Sequence, residues 1–552
     1  MKRLLISALL CLLTLEPAIA STKDKDSNRD KGSSKRQSLR ARPAVTPSPI
    51  ASPTMPQLAV NKRFQAVLER FRKGELQKKA AWDALRPFEG LLNDLSPENR
   101  LAYQQVRSQL LFLAGYPLLA SEHAAKAIVL APDPFAEHHQ ALWRILWTVS
   151  KVKPIQYILE ELAGKLGPRE GLPPEFGNNW NYILGNALIE QKKLPHAKAF
   201  YEKVVMQDRY FLPAQYQLAI LSIQTNKIEE AESYLRAVLN PKAQDLSGLR
   251  RSELTEMNSY ARMALGRLYY QSGRFLDSAR EYRTIRRNSN LFYDALFEQS
   301  WALFMAGSLK HALGTLYAVN SPYFKDRFNP ETKVLESMIY YWMCRYEEAR
   351  DALADFSEQH REAIESLGGF LDRQRLTAET AYQLFENLIT GVSAQAIGIP
   401  LSVLHTAAQQ DVMLLARDQY ATLIEETANL DTYGIYASSA DVEQYKNLLA
   451  TRAAAIRTDI GARFLGELRA MKEHFDELYS QSQFLYLELL MSQKEQILGR
   501  ELHADDKATR VTDKDAFSGW SRKTQSWQDT KNEYWWDEIG FQVIDVDPEC
   551  KL

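Results

Sequence analysis

The chain has 552 residues, with 68 basic against 69 acidic side chains, 45% hydrophobic and 25% charged. That is ordinary globular composition, with room for roughly 3 to 4 average domains or one long repeat array. A formal net charge of −1 argues against a generally basic nucleic-acid-binding surface, and three cysteines exclude a disulfide-dense scaffold.

Residues 1–20 have the pattern of a secretory signal peptide. Lys2 and Arg3 precede an apolar run from Leu4 to Leu15, and Ala18-Ile19-Ala20 is a small-x-small cleavage site. The run is shorter than the about 20 residues of a membrane span, which disfavours the alternative of an uncleaved anchor. Leu10 stands where lipid modification of Cys11 would require a small residue. The expectation is an exported chain, periplasmic, soluble or peripherally envelope-associated, with no transmembrane segment once mature. Residues 21–57 form a basic, Pro-rich leader too poor in apolar side chains to offset its chain entropy. From Lys23 to Arg42 it carries eight basic and three acidic residues. It reads as a solvated leader, or as an electrostatic contact for an anionic envelope surface. The prolines at 43, 47, 49, 53 and 56 make a stiff spacer.

From about 58 to 505 the pattern is helical and self-similar. Leu184-Gly185, Ala197, Tyr201 and Val204 recur 34 residues later as Leu218-Ala219, Ala231, Leu235 and Val238. Leu265-Gly266, Tyr269, Ser278, Tyr282 and Ile285 follow, then Ala312, Leu316 and Val319, then Ser337, Tyr340, Ala349 and Leu353. This resembles the tetratricopeptide repeat (TPR), with a small residue at repeat position 8, a large one at 11, Ala at 20 and a large apolar one at 24. Gly273-Arg274-Phe275 and Arg345-Tyr346-Glu347-Glu348-Ala349 match its inter-helix turn and second-helix start. Small residues at 8 and 20 let the two helices of a hairpin approach, and no hairpin buries its face alone, so several must stack. Five repeats are visible over 178–356. Residues 58–177 read as degenerate TPR-like hairpins, with Ser108, Gly115, Ala120, Ala127 and Pro132 in register and a further hairpin from His138 to Leu162. Thirteen extra residues between Pro241 and Ser259 imply a longer helix or a surface loop.

The expected fold is therefore all-α, a TPR helical-hairpin solenoid followed by a long helical hairpin or coiled-coil-like region and a short aromatic C-terminal tail. In the C-terminal helical region, 357–505, helices are expected over Thr377–Ile389 and Leu401–Leu430. A single long helix is expected from Ala440 to about Leu502, with apolar residues at 442, 445, 449, 456, 460, 464, 468, 471, 475 and 478. Unbroken, it would be on the order of 90 Å long. The expectation is an antiparallel hairpin in which the segment 401–430 partly covers this stripe, and a coiled coil with another chain is the alternative. The steps do not make a clean heptad, which disfavours the coiled coil. Residues 506–552 are a polar linker and an aromatic tail with Tyr534, Trp535, Trp536, Ile539, Phe541, Val543 and Ile544.

No HExxH, Gly-rich phosphate loop or Gly-x-Ser-x-Gly is present, so no catalytic residue, metal site or cofactor is expected. His138 and His139 are neighbours on a helix and point apart. His196 and His311 sit at second-helix starts as solvated residues. The resemblance implies binding through a concave face lined by first helices. The candidates there are Tyr182, Asn186, Tyr216, Tyr260, Arg267, Tyr270, Phe297, Trp301, Phe304, Tyr341 and Trp342. Only Asn186 and Arg267 suit a clamp for a terminal carboxylate, so a segment with large apolar anchors fits better. Alternatively, curvature buries these rings against one another. The aromatic tail is the leading internal candidate to fill the groove. Removing Cys11 leaves Cys344 and Cys550, which an oxidising compartment would favour as one disulfide strapping the tail to the array. Two separate thiols, or a bond from Cys550 to another chain, are the alternatives.

Asn320-Ser321-Pro322-Tyr323-Phe324, Cys344-Arg345-Tyr346 and Glu533-Tyr534-Trp535-Trp536-Asp537-Glu538-Ile539-Gly540-Phe541 resemble a group of large exported TPR proteins of gliding and predatory bacteria. That resemblance implies a scaffold role in envelope or motility machinery, with envelope proteins as partners in the groove and no nucleic acid. The rival readings are a chaperone-like capture module for envelope assembly and a module whose aromatics stack on polysaccharide or peptidoglycan.

Overall fold

A computed structural model describes residues 97–549, apart from 151, 168–173, 206–208, 242–248, 374–375, 392–398, 410, 434–438, 499–525 and 528–533. The signal peptide and leader expected over 1–57 lie outside the described residues, as does Cys550. Eighteen α-helices are described, in the order α1 (Pro97–Ala114), α2 (Pro117–Leu130), α3 (Gln140–Ser150), α4 (Gln156–Leu166), α5 (Pro174–Glu190), α6 (Leu194–Tyr201), α7 (Phe211–Gln224), α8 (Ile228–Leu239) and α9 (Arg251–Gln271). There follow α10 (Phe275–Arg283), α11 (Phe292–Met305), α12 (Leu309–Val319), α13 (Glu331–Trp342), α14 (Tyr346–Arg373), α15 (Ala378–Thr390), α16 (Leu401–Ala408), α17 (Asp411–Tyr433) and α18 (Ser439–Ile497). Two short strands, β1 (Ser526–Trp527) and β2 (Gln542–Val543), pair in parallel. The fold is all-α. The described residues form two compact units, one of 97–205 and 415–457, the other of 206–414 and 458–549.

Five consecutive hairpins are built alike: α5–α6, α7–α8, α9–α10, α11–α12 and α13–α14. Each first helix ends in a Schellman turn. In the fifth, the Arg345 amide donates to the Tyr340 carbonyl and the Cys344 amide to the Tyr341 carbonyl. The turn needs one left-handed residue, and Lys192, Asn226, Gly273, Gly307 and Cys344 supply it with φ between 56° and 78°. Close approach of the two helices depends on position 8. A Cβ on Gly185 would lie 2.5 Å from the Tyr201 ring, so only glycine fits beneath that tyrosine. Where position 8 is Ser337, its hydroxyl instead donates to the Ala349 carbonyl at 2.7 Å, over the smaller Leu353.

In the unit of 97–205 and 415–457, α1 and α2 form a hairpin of the same kind, with the Ser108 hydroxyl donating to the Ala120 carbonyl at 2.8 Å. Trp143, Trp147, Phe135 and Trp180 pack ring against ring beneath it. The α18 portion of this unit is fixed by Arg452, which pairs with Glu122 at 3.0 Å and Glu161 at 2.7 Å, and by Tyr445, whose hydroxyl meets Arg107. The Glu426 carboxylate caps α2, accepting the Leu118 and Leu119 amides at 2.9 and 2.8 Å. It satisfies two of the free donors at that helix start.

In the other unit, hairpins α7–α8 through α13–α14 stack in sequence, each sharing a buried core with the next. The extra residues after Pro241 resolve in part into a long first helix. α9 begins at Arg251, and Glu253 accepts the Arg250 amide at 2.8 Å. The α18 stripe is buried at Ile460, Phe464, Leu468, Phe475 and Leu478. Over this part its cover includes residues outside the expected segment. Phe464 packs on Phe385 of α15, Gly461 lies against the backbone of Ala378, and Phe475 meets Phe328. The expected helix 401–430 is two helices, α16 and α17, and α17 lies beside the start of α18, where Lys446 pairs with Asp431 at 2.5 Å. The Thr377 side chain caps α15 with a hydrogen bond from the Thr380 amide.

Candidate functional site

The first helices α7, α9, α11 and α13 carry nine of the eleven candidate residues: Tyr216, Tyr260, Arg267, Tyr270, Phe297, Trp301, Phe304, Tyr341 and Trp342. Seven of these nine are aromatic residues left only partly buried, as position 8 and its neighbours face the second helix while this face turns away from it. Phe304 is buried, and the others keep an accessible edge. Tyr216 and Tyr260 meet edge to face at 6.3 Å. Trp301, Phe304 and Trp342 form a chain of T-shaped contacts at 6.0 and 6.4 Å. Such edge-to-face pairs are favourable beyond their area and hold the rings in fixed orientations. Tyr182 and Asn186 lie on α5, in the other unit.

The polar candidates are already engaged. Arg267 Nε donates to both oxygens of Glu298, at 3.1 and 2.9 Å, and the Tyr282 hydroxyl donates to the same carboxylate at 2.7 Å. Burial penalises the guanidinium charge, but Glu298 outweighs that penalty and holds Arg267 above the ordinary arginine pKa. The Asn186 side-chain oxygen accepts from the Tyr201 hydroxyl at 2.6 Å. Neither residue is presented as a clamp for a terminal carboxylate. Burial pushes Tyr216 and Tyr270 up to about 12, so both phenols stay neutral.

Glu298 and His474, which the sequence did not single out, shape this face. Trp301 Nε1 donates to one oxygen of Glu331 at 3.0 Å, and the other oxygen lies 3.2 Å from Nε2 of His474 on α18. Burial lowers the His474 pKa, but Glu331 more than compensates and leaves it raised. Glu298 and His474 carried no signal because each acts through a partner remote in sequence. Tyr341 departs from the row. Its hydroxyl meets the Ser492 hydroxyl at 3.2 Å, and its ring packs against the cluster that includes Leu489 of α18. The long helix therefore engages Tyr341 at the fifth hairpin's end of the face.

The tail does not fill the groove. It runs over the start of α11, over α12 and over the turns beside them. Tyr534 stacks on Tyr317 at 4.5 Å, Trp536 meets Phe292 and Tyr323, and Ile539 is buried among Phe292, Tyr293 and Leu296. Phe541 lies under the guanidinium groups of Arg283 and Arg287. The Ile544 amide donates to the Lys310 carbonyl, and Lys310 pairs with Asp545 and Asp547 at 2.9 and 2.7 Å. A Cβ on Gly314 would collide with the Gln542 carbonyl, so this glycine of α12 is what admits the tail. The tail ends with the Glu549 amide donating to the Met343 carbonyl at 3.0 Å, next to Cys344, which is disulfide-bonded. The reason for the different location is the partner surface: Arg283, Arg287 and Lys310 supply cations for the tail's aromatic and acidic groups, and the inner face has none to spare.

Residues 188–251 match a family model described as tetratricopeptide repeat. The chain carries tetratricopeptide repeats. The match spans the end of α5 through the start of α9, and so covers the second hairpin and its flanks. No curated protein matches the chain. Among the described residues of this repeat protein, no group of three or more His, Cys, Asp or Glu is placed to hold a metal ion. No described helix is long and apolar enough to cross a membrane. His139 accompanies Gln105 at 2.7 Å in the core, and His196 is exposed at its helix start.

Proposed function

We propose that this TPR protein is a non-enzymatic interaction scaffold of the bacterial cell envelope, holding a partner's apolar or aromatic segment on its inner face, in a motility or envelope-assembly complex. The observation that carries the reading is the row Tyr260, Tyr270, Trp301 and Trp342, whose rings rest edge to face on Tyr216, Phe275 and Phe304 and are only partly buried. Large aromatic anchors with low conformational entropy are the side chains that dominate protein recognition. The engaged state of Arg267 and Asn186 favours such anchors over a carboxylate. Export is supported by the sequence of residues 1–20.

The test is crosslinking in cells followed by affinity purification, with wild type beside Trp301→Ala/Trp342→Ala. One reproducible envelope protein, lost in a variant that retains its helicity, supports the scaffold. Retention of all partners by the variant overturns the assignment of the inner face.

We further infer that Cys344 is bonded to Cys550. The Glu549 amide on the Met343 carbonyl brings the chain to the residue before each cysteine, and Cys344 is disulfide-bonded. Non-reducing peptide mapping should recover the two peptides linked; recovery of both unlinked would remove the strap.

A further inference from the structure

Three helices of the repeat unit meet at one carboxylate. Glu331, the first residue of α13, accepts the Trp301 Nε1 proton from α11 on one oxygen at 3.0 Å. Its other oxygen lies 3.2 Å from Nε2 of His474 on α18. An indole has one donor and no acceptor, and Trp301 uses that donor here. The rest of its ring is apolar and rests on Phe304. The orientation of this inner-face anchor therefore depends on where the Glu331 carboxylate is held. That carboxylate is held in turn by an imidazole, whose charge changes near neutral pH.

We propose that Glu331 and His474 are positioning residues for Trp301, and that protonation of His474 fixes the indole on the inner face. With the imidazolium present, both oxygens of Glu331 are held, one by a cation and one by the indole N–H. Loss of the proton removes the charge-assisted half of the bridge, and the carboxylate and the ring gain freedom together. The face then presents its anchor more firmly at acid than at alkaline pH. That consequence for binding rests on the reading of the inner face as the partner surface; the positioning is a property of the free chain. The neighbouring charges agree with this direction. Burial lowers the His474 pKa, but Glu331 of α13 and Glu477 of α18 outweigh it and leave it raised. On α9, burial pushes Tyr270 up to about 12, and on α11 burial and Asp294 raise Tyr293 against the pull of Arg327, so both phenols stay neutral. On α14, His360 meets Phe328, which also packs on Phe475; burial and Lys333 hold that histidine at about 4 against the pull of Asp355, so it is uncharged in this range. A raised histidine contributes its stabilisation below the unfolded pKa and loses it as pH rises through the folded one.

Fluorine NMR of the full chain labelled with 5-fluorotryptophan tests this, the Trp301 resonance being assigned by its loss in Trp301→Phe. The expected result is that this resonance shifts along one titration curve with a midpoint above 6.5, the ordinary histidine value. His474→Gln should abolish the titration with helicity unchanged, because the His474 side chain is 30% exposed. Glu331→Gln should uncouple the pair. Trp301 then no longer follows pH, and the His474 ring-carbon signal, read from labelled histidine, titrates at lower pH than in wild type because burial remains. A role confined to packing would produce neither titration shift. A Trp301 resonance that stays constant from about pH 5 to pH 9, or that titrates equally in His474→Gln, would overturn the proposal. These measurements need no partner, so failure to capture one in cells would contradict the inner-face reading and leave this titration in place.

Discussion

A Cβ added to Gly266 would lie 2.5 Å from a ring carbon of Tyr282, sixteen residues later on the facing helix. The same pairing joins Gly185 to Tyr201, whereas Ala219, Ser300 and Ser337 stand sixteen residues before leucines. Within one chain, glycine at position 8 goes with tyrosine at position 24, and a larger small residue goes with leucine. Gly266→Ala should therefore overpack the third hairpin by about 1–3 kcal/mol. Tyr282→Leu removes the ring, so the double variant should lose less stability than the two single variants added together. Denaturant unfolding of the four proteins measures the coupling; simple additivity would contradict it.

Arg267, Glu298 and Tyr282 form one buried network joining the third and fourth hairpins. Removing one charge leaves the other buried without its counter-ion. Glu298→Gln should cost about 3–5 kcal/mol, and adding Arg267→Met should recover part of it. Thermal unfolding monitored by circular dichroism checks both.

The helical hairpins were legible because their constraints are local: a 34-residue spacing, small residues where helices cross, and a turn residue with positive φ. α15 was legible for the same reason, expected over Thr377–Ile389 and found over Ala378–Thr390. The site was legible only as a set of aromatic positions. That Arg267 is neutralised by Glu298, that Tyr341 lies under α18, and that the tail sits over Gly314 depend on partners 30 to 230 residues away, and no periodicity encodes them. The tail's aromatic density correctly signalled docking, but density carries no address. The surface was set by Arg283, Arg287 and Lys310, none of which the sequence singled out.

Glu426 gives the unit of 97–205 and 415–457 a pH dependence. Burial pushes its carboxyl up to about 7, against the pull of the two α2 amides. The proton is held more tightly in the folded state than in the unfolded chain. Its stabilising contribution is complete below pH 4.5 and is lost as pH rises through about 7, a change of about 3 kcal/mol. The melting temperature should fall between pH 5 and pH 8, and Glu426→Gln should flatten that slope. An unchanged slope in the variant would assign the dependence to other groups.

Gly314 controls the tail. Gly314→Leu places a side chain where the Gln542 carbonyl now lies and should displace residues 534–549 from α12. Limited proteolysis should then cleave near Trp535 much faster under reducing conditions, with helical content nearly unchanged. Protection equal to wild type would show that the tail is held elsewhere.

The central claim is that the inner face of the repeats receives a partner while the tail occupies the outer one. The most direct measurement is photo-crosslinking in cells from a benzophenone amino acid at Tyr270 on the inner face, beside the same label at Tyr323 under the tail. The account predicts that position 270 captures another envelope protein and that position 323 captures the chain's own residues around Trp536. Capture of the tail from position 270, with no second protein, would contradict it.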